Sequence, residues 1–256
     1  MGKSSVIAAQ KHVVFTANGS AGGQGKTLVN TTLAEIRRKR TGDHPRLVDC
    51  DAEHSLARML GSAVIQLPIA AKADEIMSDP ALLAELWDNL GRSILDEGDC
   101  FVDLGANVDS AVFEWARNCA FYEDLREAKV DVVVPVKAEP KAVSQARNLV
   151  AVIADVFPEA RISVVLNRYK PWRDYADEEK EIRSWPGVTV VDMPLCASKI
   201  WQRLEKEAVT PLAAAELGSA KLAAELSLDT FVARREVGTI SAWVRTMTEN
   251  FAYIWE

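Results

Sequence analysis

Short, unbroken apolar runs separated by longer stretches of helical periodicity organise this chain. The runs fall at residues 12–17, 46–50, 100–104, 130–136, 161–166 and 188–191. They read Val-Val-Phe, Val-Asp-Val-Val-Val or Ile-Ser-Val-Val-Leu, without the strict alternation of a sheet that has one wet face, so strands covered by helices on both sides are predicted. Strands alternating with helices imply βαβ units, hence an α/β fold: a three-layer sandwich with a mostly parallel central sheet. Residues 27–40 carry Leu28, Leu33 and Ile36 on an apolar stripe and close on Arg37-Arg38-Lys39-Arg40 before Gly42. That is a helix with cations at its negative end and a glycine stop. The basic cluster reads either as a nucleic-acid contact or, preferably, as a solvated helix terminus. Residues 72–95 read as a helix broken near Ser78-Asp79-Pro80, and 138–156 as another. The tail, 239–256, places Ile240, Trp243, Val244, Met247, Phe251 and Ile254 on one face, an amphipathic helix. Its polar face sets Arg245 against Glu249 and Glu256, which favours packing on the domain or a partner subunit over lipid.

Composition narrows this picture without redirecting it. A length of 256 residues with 48% hydrophobic and 26% charged positions fits one globular domain spanning 1–256, and no repeat or low-complexity linker marks a boundary. Cys50, Cys100, Cys119 and Cys196 are far apart and form no CxxC pair, so small core residues in a reducing compartment are expected rather than a zinc site or disulfide framework. No apolar stretch reaches the roughly 18 residues of a membrane span, and Met1-Gly2-Lys3-Ser4-Ser5-Val6 misses the myristoylation pattern. A cytoplasmic protein without a membrane partner is expected. The formal charge of −7 gives no indication of DNA contact, although a local basic patch remains compatible with it.

The chemistry concentrates where the first strand runs through Asn18-Gly19-Ser20-Ala21-Gly22-Gly23-Gln24-Gly25-Lys26-Thr27 directly into a helix. This is the context of a phosphate-binding P-loop. Glycines let backbone N–H groups turn toward phosphate oxygens, and the helix N-terminus adds partial positive charge. Gly22, Gly23, Gln24, Gly25, Lys26, Thr27 and Leu28 are therefore assigned to nucleotide binding, with Lys26 reaching the β- and γ-phosphates and the Thr27 hydroxyl on Mg²⁺. The pattern GxxxxGK[ST] places a glycine where Ser20 stands, with Gly19 one residue early. Asp49 and Asp51 flank Cys50 at the end of the second strand, and Asp103 ends the third. Ligands of open parallel sheets lie beyond the carboxyl ends of strands, so these acids are expected to face the nucleotide, with Asp51 and Asp103 as Mg²⁺ partners.

Together these motifs resemble the ParA/MinD superfamily of deviant Walker-A ATPases over about residues 13–211. The loop KGGxGK[ST] corresponds to Ala21-Gly22-Gly23-Gln24-Gly25-Lys26-Thr27, D-x-D to Asp49-Cys50-Asp51, and the Walker-B aspartate to Asp103. Val164-Val165-Leu166-Asn167-Arg168-Tyr169 is similar to the strand whose asparagine reads adenine, and Met193-Pro194 to the loop that covers the base. The resemblance implies ATP/ADP and Mg²⁺ as cofactors. It makes Lys26 and Asp51 catalytic, Asp51 by positioning the attacking water. Asp103 would hold Mg²⁺ through water, Asn167 would select adenine, and Pro194 would lie in the cofactor site. A side-chain amide also suits a purine edge physically, since it offers both a donor and an acceptor.

Departures qualify the catalytic half of that expectation. The family's first loop lysine, which reaches across a nucleotide-sandwich homodimer, is Ala21 here. D-P-Q becomes Asp51-Ala52-Glu53, and the segment after the Walker-B strand reads Asp103-Leu104-Gly105-Ala106-Asn107. A methyl group does not neutralise phosphoryl charge, so weak intrinsic hydrolysis or activation by a different cation is inferred. The Asp-Leu-Gly-Ala-Asn and Leu-Asn-Arg-Tyr-Lys-Pro-Trp segments are most similar to plasmid-encoded TraL-type and StbB-type members. The expected function is an ATP-dependent switch in plasmid maintenance, partition or conjugative transfer, acting through a homodimer or protein partner. The alternative is a nucleotide-binding adaptor without turnover. A further candidate partner surface is the stretch 169–185, rich in charge and aromatics (Trp172, Tyr175, Trp185), whose plainer reading is an exposed connection.

Overall fold

The computed structural model of the protein describes residues 10–19, 23–51, 54–67, 81–106, 108–169 and 174–256. The strands are β1 (His12–Thr16), β2 (Arg46–Asp49), β3 (Val64–Gln66), β4 (Cys100–Asp103), β5 (Lys129–Lys137), β6 (Arg161–Asn167) and β7 (Val188–Met193). They form one seven-stranded sheet in the order β3-β2-β4-β1-β5-β6-β7, with every pairing parallel. The expected α/β sandwich is thus present. β3 is additional to the six runs read from the sequence. It is a three-residue edge strand with Ile65 and Gln66 exposed, too short and too wet to show a buried-strand pattern.

The helices are α1 (Lys26–Thr41), α2 (Ser55–Leu60), α3 (Ala81–Leu95), α4 (Asp109–Asn118), α5 (Pro140–Val156), α6 (Ala176–Arg183), α7 (Trp201–Lys206), α8 (Pro211–Glu225) and α9 (Thr230–Asn250). Of the helix expected over 72–95, the part before residue 81 lies outside the described residues. The apolar runs divide by the period of two that a strand imposes. Val13 and Phe15, with Val132, Val134 and Val136, join one core beneath α3, α4 and α5. Val14 and Val133 join the other, beneath α1 and α9. Continuous hydrophobicity therefore records two buried faces. The tail helix packs as its stripe predicts, since Ile240, Trp243, Val244, Met247, Phe251 and Ile254 all lie in the second core.

Polar groups tie the layers together. Arg37 pairs with Asp99, while Arg38 and Lys39 both reach Glu216 on α8, so most of the basic cluster of α1 is used within the protein. Tyr175 and Trp185 are buried, which corrects their reading as part of an exposed surface; Trp172 lies outside the described residues. Cys50 and Cys100 are core residues, but Cys119 is exposed at the end of α4, against expectation.

At the amino edge of the sheet, the fully buried Asp131 of β5 accepts from His12 Nε2 (2.6 Å) and from Arg161 Nε (2.6 Å) and Nη2 (3.0 Å). Arg161 also donates to the carbonyls of Tyr253 (2.6 Å) and Ile254 (2.9 Å), and Lys129 Nζ reaches Ile254 O (2.9 Å). Cations thereby satisfy carbonyls in the short helical turn after α9. Burial pushes the Asp131 carboxyl up, but hydrogen bonds and charge from His12 and Arg161 outweigh it and hold the group below the usual carboxylate range. Its stabilising contribution is complete above the ordinary aspartate pKa and is lost as pH falls through the depressed folded value. Asp131→Asn is expected to lower unfolding free energy by about 3 kcal/mol at neutral pH, as for a broken buried pair. Urea melts across pH check this: the gap from wild type must narrow in acid.

Candidate functional site

Parallel register lines up the carboxyl ends of the strands. Thr16 faces Asp103, Asp103 faces Asp49, and Lys137, Asn167 and Met193 sit level across β5, β6 and β7. The chain leaves β1 at this edge and re-enters as α1. Within the loop, residues 20–22, including Ala21 and Gly22, lie outside the described residues. Gly25 caps α1 at φ 99°, and a Cβ there would come within 3.0 Å of Met193 Cε and 3.1 Å of Asn167 Nδ2. Both the left-handed backbone and the close approach require glycine.

The loop is held from both ends. Asp109, fully buried at the start of α4, accepts from Asn18 N at 3.2 Å and also from Gly19 N. Asn167 Nδ2 donates to Gln24 O (2.9 Å), and Gln24 Oε1 accepts from Lys137 N (2.6 Å). Lys26 is 7% exposed, and its ammonium donates to Asn18 Oδ1 at 2.9 Å.

The acids divide by role. Thr27 Oγ1 donates to Asp103 Oδ2 (2.9 Å), while Asp103 Oδ1 is buried with no hydrogen-bond partner among the described residues. Burial pushes the Asp103 carboxyl up to about 7, against the pull of the Thr27 hydroxyl and the Lys26 charge. Asp51 lines the cleft. Asp49, expected to face the nucleotide, instead turns into the protein: its carboxylate accepts from Asp51 N (2.9 Å) and Ala57 N (3.0 Å) and holds the turn before α2. Gly105 makes the junction of these loops possible, because a Cβ there would lie 2.8 Å from Asp51 Cα and 2.9 Å from Cys50 O.

These groups border a cleft of about 690 Å³, within the range of small-molecule sites. Gly23, Gln24, Gly25, Lys26, Thr27, Leu28 and Asp51 line one part, and Asn167, Met193, Pro194, Trp201 and Trp243 another. Trp243 Nε1 donates to Pro194 O at 2.7 Å, so α9 braces the loop after β7. Of the described residues expected from the sequence, Gly23, Gln24, Gly25, Lys26, Thr27, Leu28, Asp51, Asn167 and Pro194 line this cleft, with Asp103 bonded to Thr27 behind it; Gly22 lies outside the described residues. Lys137, Tyr169 and Asp109 are site components not assigned from sequence. Lys137 gains its place only because β5 lies beside β1, whereas Asp109 could have been found from opening the helix after β4.

The donor chemistry fits Mg²⁺. A hard cation that takes oxygen ligands and keeps much of its water would find the Thr27 hydroxyl beside an orphaned carboxylate oxygen, with Asp51 at the cleft wall. Among the described residues no group of three or more His, Cys, Asp or Glu side chains could hold a metal ion, so Mg²⁺ here would rely on one or two carboxylates, the Thr27 hydroxyl, water and ligand oxygens.

No protein-family model and no curated protein sequence matches the chain. Solved structures do match its fold. A plasmid partition protein from Borrelia burgdorferi bound to AMPPNP superposes with a TM-score of 0.56 at 11% identity, covering 95% of this chain and 99% of that one. A ParA family ATPase from Chlorobium tepidum gives 0.54 at 15% identity over 93% and 99%. A further Borrelia burgdorferi plasmid partition protein gives 0.51 at 13% over 77% and 95%. At such identities the likeness is one of fold.

The Asp103 geometry generates a pH prediction. An unfolded aspartate ionises near 3.9 and the folded one near 7, so between these values the folded state retains a proton that the unfolded state releases, and stability falls as pH rises. Without nucleotide or divalent ion, Asp103→Asn is expected to melt above wild type at about pH 8, the advantage shrinking toward about pH 4. Calorimetry showing a pH-independent difference would contradict this.

Proposed function

We propose that the protein is a ParA/MinD-like ATP-binding switch: a slow or partner-activated ATPase of the cytoplasm, acting in plasmid maintenance, partition or conjugative transfer. The observation that carries this reading is the Thr27–Asp103 hydrogen bond beside the buried Lys26, set at the mouth of a strand–glycine loop–helix within a nucleotide-sized cleft. The fold likeness to a ParA family ATPase and to a partition protein bound to AMPPNP supports it.

In this reading the loop amides at Gly23, Gln24 and Gly25 and the first turn of α1 bind phosphate oxygens. Lys26 exchanges its bond to Asn18 for the β- and γ-phosphates, a charge-assisted contact stronger than the neutral amide it leaves. Thr27, with Asp103 behind it, holds Mg²⁺, which when bound offsets charge on the phosphates. Asp51 orients the water that attacks the terminal phosphate, giving ADP and inorganic phosphate. Asn167 uses its carboxamide oxygen, unengaged among the described residues, to accept from the adenine amino group, while Met193 and Pro194 cover the base. Ala21 keeps intrinsic turnover slow. ATP binding orders the segment after Asp51 and alters a surface for a protein partner or a second copy.

The adaptor reading shares the binding step and omits turnover; Ala21 is the observation that favours it. Lys26→Ala is expected to weaken binding of a fluorescent AMPPNP analogue by roughly tenfold or more, consistent with loss of a hydrogen bond to a charged group. Asp51→Ala should bind normally and lose phosphate release. Binding that needs Lys26, with no wild-type turnover even beside partners, would select the adaptor. Size-exclusion with AMPPNP and Mg²⁺ is expected to give a dimer; a monomer at high concentration would remove the sandwich from the reading.

A further inference from the structure

We infer that Lys137 is a second phosphate-contacting cation of the cleft, supplied in cis from the end of β5 by the same protomer that binds the nucleotide. This rests on the nucleotide-binding reading above. A nucleoside triphosphate brings several negative charges into the cleft, and partly buried charge of one sign has to be met by the other. Among the described residues lining the cleft, Lys26 and Lys137 are the cationic ones, against Asp51 and Glu205.

One hydrogen bond and the position of the ammonium place Lys137 beside the loop. Its backbone N–H donates to Gln24 Oε1 at 2.6 Å, fixing this residue's main chain to the loop. Its ammonium lies 3.6 Å from where a Cβ on Gly23 would be, and Gly23, at φ 68°, leaves that space open. The same ammonium sits over the Tyr169 ring, 4.7 Å from the centroid, and the Tyr169 hydroxyl is bonded to Glu139. Among the described residues no carboxylate pairs with Lys137. A ring face steers an ammonium but takes none of its N–H groups as a carboxylate would. Lys137 is therefore aimed over the phosphate loop with donors to give, and no bound anion has to be displaced before a phosphate oxygen is met.

The test uses the full chain with fluorescent AMPPNP and ADP analogues and Mg²⁺. A charge-assisted phosphate contact corresponds to about tenfold or more in affinity, so Lys137→Gln and Lys137→Met should each lose at least that for the triphosphate analogue, and Lys137→Arg should stay within a few-fold of wild type. All three should melt with the wild type, since the bond to Gln24 is made by the main chain. Triphosphate affinity unchanged in Lys137→Gln and Lys137→Met overturns the inference and leaves the nucleotide reading standing. Equal losses in all three variants, arginine included, also overturn it, because the residue would then serve shape rather than charge. Wild type that binds neither analogue defeats the nucleotide reading itself.

Discussion

The parallel register that sets Thr16 against Asp103 on one side and Val133 on the other determines where the chain leaves β1, and the cleft is organised around that exit. The sheet carries its ladder one step further, with Ala17 N donating to Val133 O and Leu104 N to Thr16 O, both at 3.0 Å. Beyond that point the loop has no strand to pair with. Buried backbone donors and acceptors need partners, and here side chains from neighbouring elements supply them, Asp109 at the loop's start and Asn167 at its end, while the Lys137 N–H holds the Gln24 side chain. A one-residue slip of β4 or β6 against its neighbours would turn Asp103 or Asn167 to the opposite face.

Asp131 at the amino end of the sheet and Asp103 at the carboxyl end are both fully buried, yet their surroundings act in opposite ways. Asp131 is surrounded by His12 and Arg161 and stabilises the fold as an anion. Asp103 has one oxygen bonded to Thr27 and the other orphaned, and its burial favours the protonated acid. An unmet buried acceptor destabilises a protein unless something else meets it, and sites that bind cations commonly hold such groups. Asp131 at the amino edge thus adds stability, whereas Asp103 at the carboxyl edge lowers it once ionised.

The sheet was largely legible because strands buried on both faces carry mostly apolar runs, as β1, β2, β4, β5 and β6 do apart from polar residues such as Asp131 and Ser163, and β7, at an edge, keeps Val188, Val190 and Val191. β3 escaped because three residues at an edge need not be apolar. The loop was legible because few other contexts place glycines, lysine and threonine between strand and helix. The sequence singled out Asp51 for the metal and the water but left Asp49 facing the nucleotide as well, because only the path of the turn decides which carboxylate bonds the backbone and which reaches the cleft. Tyr175 and Trp185 looked like surface because charges flank them, yet α6 keeps those charges outside, with Glu179 bridging Arg168 and Arg183. Lys137 was hidden for a related reason. A lysine closing an apolar strand is common, and its significance comes from β5 lying beside β1, a fact of topology.

The tail helix has a mechanical consequence. Trp243 grips Pro194 beside the cleft, Asn250 holds the carbonyl of Asp192, and the following turn is clamped by Arg161 and Lys129 at the far edge of the sheet. Roughly 10 Å of α9, Trp243 to Asn250 at about 1.5 Å per residue, and the short turn after it join these grips. Such a piece acts as a tie rod rather than a cover, so a shift of the loop after β7 loads the clamp at the amino edge. The two ends of the sheet, chemically opposite, are in this way mechanically one.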